Sequence, residues 1–153
     1  IGTAGLFAAD QLLKTYAEQN LDKQEERNVS GPVVLRRVHN KGMCFGLLSA
    51  RPETVKILSL AVSGGVAGRL AVCLFQKRGL WKKVALSLLN AGAWSNTFDR
   101  FARGYVVDYI GFSVNNPKVA KITYNLGDFF IAAGTVLLSV CSLCCSSSKD
   151  AEI

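Results

Sequence analysis

The chain has a single histidine, and His39 has no ligand partner at a familiar interval. Five cysteines are present, Cys44, Cys73, Cys141, Cys144 and Cys145, but no Cys-x-x-Cys pair recurs at zinc spacing. A metal module is therefore not the expectation. Cys141, Cys144 and Cys145 read as small buried residues closing the last apolar run. Charge is sparse: 19% of 153 residues are charged, with a net charge of +7. That basic excess would suit a nucleic-acid partner if it formed one patch interleaved with aromatics. It does not, because the basic residues gather in loops between apolar runs. No basic segment precedes the first apolar residues, so the amino terminus does not read as a signal peptide.

What the chain has is hydrocarbon. Half its residues are hydrophobic, concentrated in three long runs: Ile57 to Phe75, Trp81 to Phe98 and Tyr124 to Cys145. As helices they would span roughly 27–33 Å, close to the ~30 Å apolar thickness of a bilayer. Buried helices of a soluble domain should show a polar face every few residues, and these runs are expected to lack one. The loop Gln76-Lys77-Arg78-Gly79-Leu80-Trp81-Lys82-Lys83 is basic and free of acids, which predicts a cytoplasmic location, with Trp81 at the headgroups. The run before it then travels inward and the run after it outward. Asp99, Asp108 and Asp128 fall on the outer side. Arg69 lies close enough to the inner end of its helix to snorkel. Gly64 and Gly68 form a small-xxx-small pair, read as a packing surface for a neighbouring helix.

The remaining segments are shorter. Ile1 to Ala9 is apolar but too short to span, so the expectation is a first membrane helix that is truncated here and has its outer end at Asp10. Glu18 to Arg27 reads as an exposed loop. Val33 to Val38 is rich in β-branched residues, Asn40-Lys41-Gly42 is a turn signal, and Met43 to Leu48 resumes a strand-like run. A small sheet or hairpin is expected between Val29 and Leu48.

Four clusters carry polar chemistry. Asp10 and Lys14 stand at i and i+4 on one helix face, by default a solvated pair. Asn40-Lys41-Gly42-Met43-Cys44-Phe45-Gly46 alone is only a turn. Asn96-Thr97-Phe98-Asp99-Arg100 alone is a helix end with a local ion pair. Tyr124-Asn125-Leu126-Gly127-Asp128 reads as a helix start, with Asn125 the N-cap and Asp128 at the positive helix end.

Their order and spacing together resemble the lipoprotein signal peptidases, the type II signal peptidases of bacteria. The family pattern is DQxxK, NxGxxFG, GNxxDRxxxGxVVDF and FNxAD. The matches here are Asp10, Gln11 and Lys14; Asn40, Gly42, Phe45 and Gly46; Asn96, Asp99, Arg100, Gly104, Val106, Val107 and Asp108, with Tyr109 as the aromatic; and Tyr124, Asn125 and Asp128. Ser95 stands in place of Gly, Gly127 of Ala and Tyr124 of Phe.

The resemblance implies an all-α bundle of four transmembrane helices with a small extracytoplasmic β-cradle, forming a single integral-membrane peptidase domain over residues 1–153. It implies an aspartic endopeptidase that cuts a prolipoprotein before a diacylglyceryl-cysteine, without metal or cofactor. Asp108 and Asp128 map to the catalytic pair. Asp10, Lys14, Asn40, Gly42, Asn96, Arg100 and Asn125 map to positions supporting the site or the substrate. Asp99 is read as structural, paired with Arg100 or another nearby base. The expected partners are the lipidated substrate and membrane lipids, with no nucleic acid, for a monomer in the bacterial cytoplasmic membrane. Two rivals remain: a non-enzymatic membrane scaffold, whose acids would be locked in separate ion pairs, and an inactive relative. Facing carboxylates at Asp108 and Asp128 would favour the peptidase.

Overall fold

The structure is a computed structural model. It describes residues 2–22, 25–42, 48–77 and 79–150, with backbone only at 118 and 145–150. The elements in chain order are α1 (Gly2–Asn20), β1 (Arg27–Ser30), β2 (Val33–Asn40), α2 (Pro52–Leu74), α3 (Leu80–Ala102), β3 (Val106–Phe112), α4 (Pro117–Ala120), β4 (Thr123–Tyr124) and α5 (Leu126–Asp150).

The molecule is sorted inside out relative to a protein folded in water. Ile57, Phe75 and Leu143 are 68%, 90% and 72% exposed, while Asp10, Lys14 and Asp99 are fully buried. Water would drive the opposite arrangement. A hydrocarbon solvent favours this one, because each polar group needs an internal partner there. Two helices are long and apolar enough to cross a membrane, Pro52–Leu74 and Leu126–Cys144, and little of either is covered by protein. The third expected run behaves differently. In α3 the buried positions include Asn90, Ser95, Asn96, Thr97 and Asp99. The polar face that the runs were expected to lack is therefore present on α3 and turned inward.

This face makes α3 the hub, packed against α1, α2 and α5. Ser63 on α2 meets Thr97 at 2.8 Å, and Asn90 donates to the Val66 carbonyl at 3.2 Å. The α3–α5 crossing is a glycine seam. A Cβ on Gly92 would run into the Gly127 carbonyl and reach within 2.8 Å of Ile131; one on Gly134 would lie 2.7 Å from the Ala85 carbonyl. Such contacts hold only if these positions lack a side chain. Gly64 and Gly68, the pair expected to pack, face open space instead. Spacing alone does not say which face of a helix meets a neighbour.

α1 runs ten residues beyond Asp10, so Asp10 and Lys14 lie mid-helix and Glu18 to Asn20 are helical rather than loop. The antiparallel sheet has the order β1-β2-β3-β4. It extends past the expected 29–48 hairpin because β3 and β4, far along the chain, complete it. The β1–β2 turn is at Gly31, whose φ of 53° suits glycine. Asn40-Lys41-Gly42 ends β2, where Asn40 Oδ1 accepts the Gly42 amide at 3.0 Å in an Asx-type turn. The strand-like run expected from Met43 lies, through residue 47, outside the described residues. Ala17 of α1 and Leu21 just after it pack with Val107 and Tyr109 of β3, anchoring the sheet to the helices.

Candidate active site

The last two turns of α3, the middle of β3 and the first turn of α5 meet at one end of the bundle. Asn125 begins α5 as expected: its Oδ1 accepts the Asp128 amide at 2.9 Å, and the Asp128 carboxylate accepts the Asn125 amide at 3.1 Å. This is a reciprocal cap, which satisfies two orphan amides of the helix start. The same Asn125 donates Nδ2 to Asp108 Oδ1 at 2.7 Å. One buried asparagine thus holds both carboxylates, and both line a single cavity of about 440 Å³. Leu58 and Val62 of α2, Phe129, Ile131 and Ala132 of α5 and Ile122 supply its apolar wall.

Two further asparagines complete the cage. Asn40 donates to Asp108 Oδ2 at 3.1 Å, and Asn96 donates to Asp128 Oδ1 at 2.9 Å. Each of the three amides has its oxygen end fixed by a separate donor: Gly42 N–H for Asn40, Lys14 Nζ for Asn96 at 2.8 Å and Asp128 N–H for Asn125. A flipped amide would set donor against donor, so all three must turn their NH2 groups toward the acids.

Burial first, and the Asp128 charge second, push the Asp108 carboxyl from its ordinary 3.8 up to about 7, against the opposing pull of Asn40, Asn125 and Lys14. Neither Asp108 nor Asp128 takes part in an ion pair among the described residues.

Beneath this pair lies a buried charge cluster. Lys14, expected by default to be solvated, is fully buried between Asp10 at 3.0 Å and Asp99 at 3.1 Å. Asp99 also pairs with Arg103 and accepts Gln11 Nε2 and the Val107 amide, each at 3.1 Å. Arg103 lies one turn on, on the same helix face as Asp99. Arg100 points elsewhere and donates to the Asn96 carbonyl at 3.1 Å and the Gly42 carbonyl at 2.9 Å. Of the two expected kinds of partner for Asp99, Arg100 or another nearby base, the structure has the second, in Arg103 and Lys14.

Two residues that sequence reasoning passed over belong to the cluster. Ser95 Oγ donates to Asp10, and Tyr109 Oη donates to Asp10 at 3.1 Å while accepting the Leu126 amide at 3.1 Å. Burial, then the Asp10 charge, raise the Tyr109 hydroxyl far above its ordinary range, so it stays protonated as a donor. The only signal in the sequence was departure from the family pattern. Ser95 replaces a glycine, and Tyr109 carries a hydroxyl where the pattern has phenylalanine. Among the described residues no group of three or more His, Cys, Asp or Glu could hold a metal ion. Phe45 and Gly46 lie outside the described residues.

The chain is similar to known proteins in sequence and in fold. Residues 3–144 match the family model described as signal peptidase (SPase) II. The lipoprotein signal peptidase of Trichormus variabilis is 35% identical over 138 residues, covering 90% of this chain and 84% of that protein. That of Caldicellulosiruptor bescii is 33% identical over 135 residues, covering 87% and 82%. A bacterial membrane enzyme determined by the in meso method at 2.3 Å resolution has the same fold, with a TM-score of 0.82 at 22% identity, covering 97% of this chain and 88% of the other.

Proposed function

The chain belongs to the signal peptidase II family, and from that premise we propose that it is a membrane aspartic endopeptidase with Asp108 and Asp128 as its catalytic pair. As a member of that family it is a peptidase of lipoprotein signal peptides. The observation that carries the aspartic assignment is the Asn125 bridge. It brings two carboxylates, neither of them in an ion pair among the described residues, to one cavity with an apolar wall. A scaffold using its acids as struts would pair them, as this chain pairs Asp10 and Asp99 with Lys14.

In the reaction, one carboxylate takes a proton from a water molecule while the other, protonated, donates to the scissile carbonyl. The raised Asp108 carboxyl suits the proton holder. Asp128, at the positive end of α5 and facing the amides of Asn96 and Asn125, suits the base. The protonated acid stabilises the oxygen charge of the tetrahedral intermediate, and the proton taken up by the base passes to the leaving amine. The amide cage fixes both acids. Asp99, with Lys14 and Arg103, serves as a strut. No metal or cofactor enters this scheme.

The bond cut precedes a diacylglyceryl-cysteine, and the apolar residues of α2 and α5 beside the pair receive the acyl chains. α1 and α3 complete a bundle of four transmembrane helices, their polar residues turned inward. Lys77, Lys82 and Lys83 at the far end of α3 favour the cytoplasm, so the sheet and the acids face the extracytoplasmic side of the cytoplasmic membrane. The acids and their cage all come from one chain, as a monomer requires. Purified protein in detergent should cleave a diacylglyceryl-modified prolipoprotein, and Asp108→Asn and Asp128→Asn should not. Cleavage by either variant would remove that residue from the pair.

A further inference from the structure

Arg36 has no part in the chemistry above, yet its guanidinium makes four hydrogen bonds. The β2–β3 register shifts between Leu35, opposite Ile110, and Val38, opposite Asp108. Two residues of β2, Arg36 and Arg37, therefore face the single residue Tyr109, a bulge of the kind that re-aims side chains. Arg37 reaches the Glu18 carbonyl at the end of α1, at 2.7 Å. Arg36 goes the other way, across β3 to β4. Its Nε donates to Thr123 Oγ1 at 2.8 Å, its Nη2 to the carbonyls of Ala120 at 2.6 Å and Ile122 at 2.8 Å, and its Nη1 to Glu26 at 2.9 Å.

The residue it crosses is Gly111. A Cβ there would lie 2.7 Å from Arg36 Nε and 2.8 Å from the guanidinium carbon. Gly111 has no positive φ, so its lack of a side chain serves as a groove for the arginine. β4 is two residues long and pairs with β3 at only two positions. A strand that short has little ladder of its own, and Arg36 supplies three bonds to the segment 120–123. Ile122 and Thr123 of that segment, with Tyr124 after it, line the sheet side of the cavity directly before Asn125.

We propose that Arg36, seated in the Gly111 groove, is a positioning residue that holds β4 as the sheet-side wall against which the substrate binds. The proposal rests on the peptidase reading. Because the staple acts on the wall and not on the acids, it governs KM and leaves kcat nearly unchanged. Lysine cannot replace it, since a point charge does not reach three oxygens and a carboxylate in one plane.

The test is steady-state cleavage of a diacylglyceryl-modified prolipoprotein by the purified full chain carrying Arg36→Ala, Arg36→Lys, Gly111→Ala or the double change Arg36→Ala/Gly111→Ala. Arg36→Ala should raise KM by about tenfold or more, the scale of losing charge-assisted hydrogen bonds, with kcat within about twofold. Arg36→Lys should recover little of this. Gly111→Ala should raise KM by crowding the guanidinium, but should add nothing once Arg36 is already alanine. Equal cost of Gly111→Ala in both backgrounds, or a fall in kcat at unchanged KM, would overturn the staple. Unchanged KM in Arg36→Ala beside an active wild type would overturn this inference alone. No cleavage by the wild type would overturn the peptidase reading and the inference together.

Discussion

Lys14 Nζ lies 2.8 Å from Asn96 Oδ1, and Asn96 Nδ2 lies 2.9 Å from Asp128 Oδ1. The lysine thus fixes which end of the amide faces the acid, and it links the buried charge cluster to the cavity. Lys14 also forms ion pairs with Asp10 and Asp99, the latter shared with Arg103. Lys14→Met should destabilise the protein by about 3–5 kcal/mol, because buried Asp10 loses its cation and Asp99 keeps only Arg103. Adding Asp10→Asn should return part of that loss, since one stranded charge is removed with its partner. Thermal unfolding of the wild type and the two variants in detergent measures both steps. A double variant no more stable than Lys14→Met would show that Asp10 does not depend on the lysine.

Asp99 belongs to the same cluster but faces away from the cavity. Asp99→Asn breaks pairs to Lys14 and Arg103 and should lower stability by several kcal/mol. Turnover per folded molecule should stay near that of the wild type. Yield, melting temperature and kcat on the same preparation separate the two effects. Normal stability with lost turnover would place Asp99 among the catalytic groups.

The glycine seam gives a sharper contrast. Gly92→Ala sets a methyl group against the backbone of Gly127, one residue before Asp128. Backbone cannot yield as a flexible side chain does, so the cost should be about 1–3 kcal/mol or more, with activity falling as α5 shifts. Gly64→Ala meets open space and should change neither. Melting temperatures and cleavage rates of the pair test this. A harmless Gly92→Ala would mean that α3 and α5 do not meet as described.

These contrasts mark where the sequence was legible. Asn125 and Asp128 announced a helix start because capping is local: the donors and acceptors lie within four residues. Two of the three apolar runs fall on helices long and apolar enough to cross a membrane, a property that length and composition decide, whereas the inward polar face of α3 does not show in its composition. Asp10 and Lys14 taken alone suggest only a solvated pair, because the burial of Lys14 depends on Ser95, Asn96 and Asp99, more than eighty residues away; only the family pattern points Lys14 to the site. The Gly64 and Gly92 stripes look alike in one dimension and differ only in which face meets a neighbour. Ser95 and Gly127 depart from the family pattern by one small residue for another, and Tyr109 keeps its aromatic while adding a hydroxyl. Yet Ser95 and Tyr109 both bond Asp10, and a Cβ on Gly127 would come within 3.0 Å of it. Substitutions that look independent along the chain converge on one carboxylate in space.

With Asp108 raised to about 7 by burial and by Asp128, the acid form needed to donate to the carbonyl is lost above neutrality. The value of kcat/KM should therefore fall about tenfold per pH unit on the alkaline side. Stability follows from the same shift. The folded pKa lies above the ordinary 3.8 of an unfolded aspartate, so between these values the folded state holds the proton more tightly. Its penalty is absent below about pH 4, grows as pH rises and is complete above about pH 7, reaching on the order of 4 kcal/mol. The protein should be more stable at pH 5 than at pH 8. Asp108→Asn cannot ionise, so it should abolish cleavage and also flatten this part of the slope. Thermal unfolding of both proteins at the two pH values decides the matter. If the variant keeps the full wild-type slope, another group titrates in that window, and Asp108 is not the proton holder.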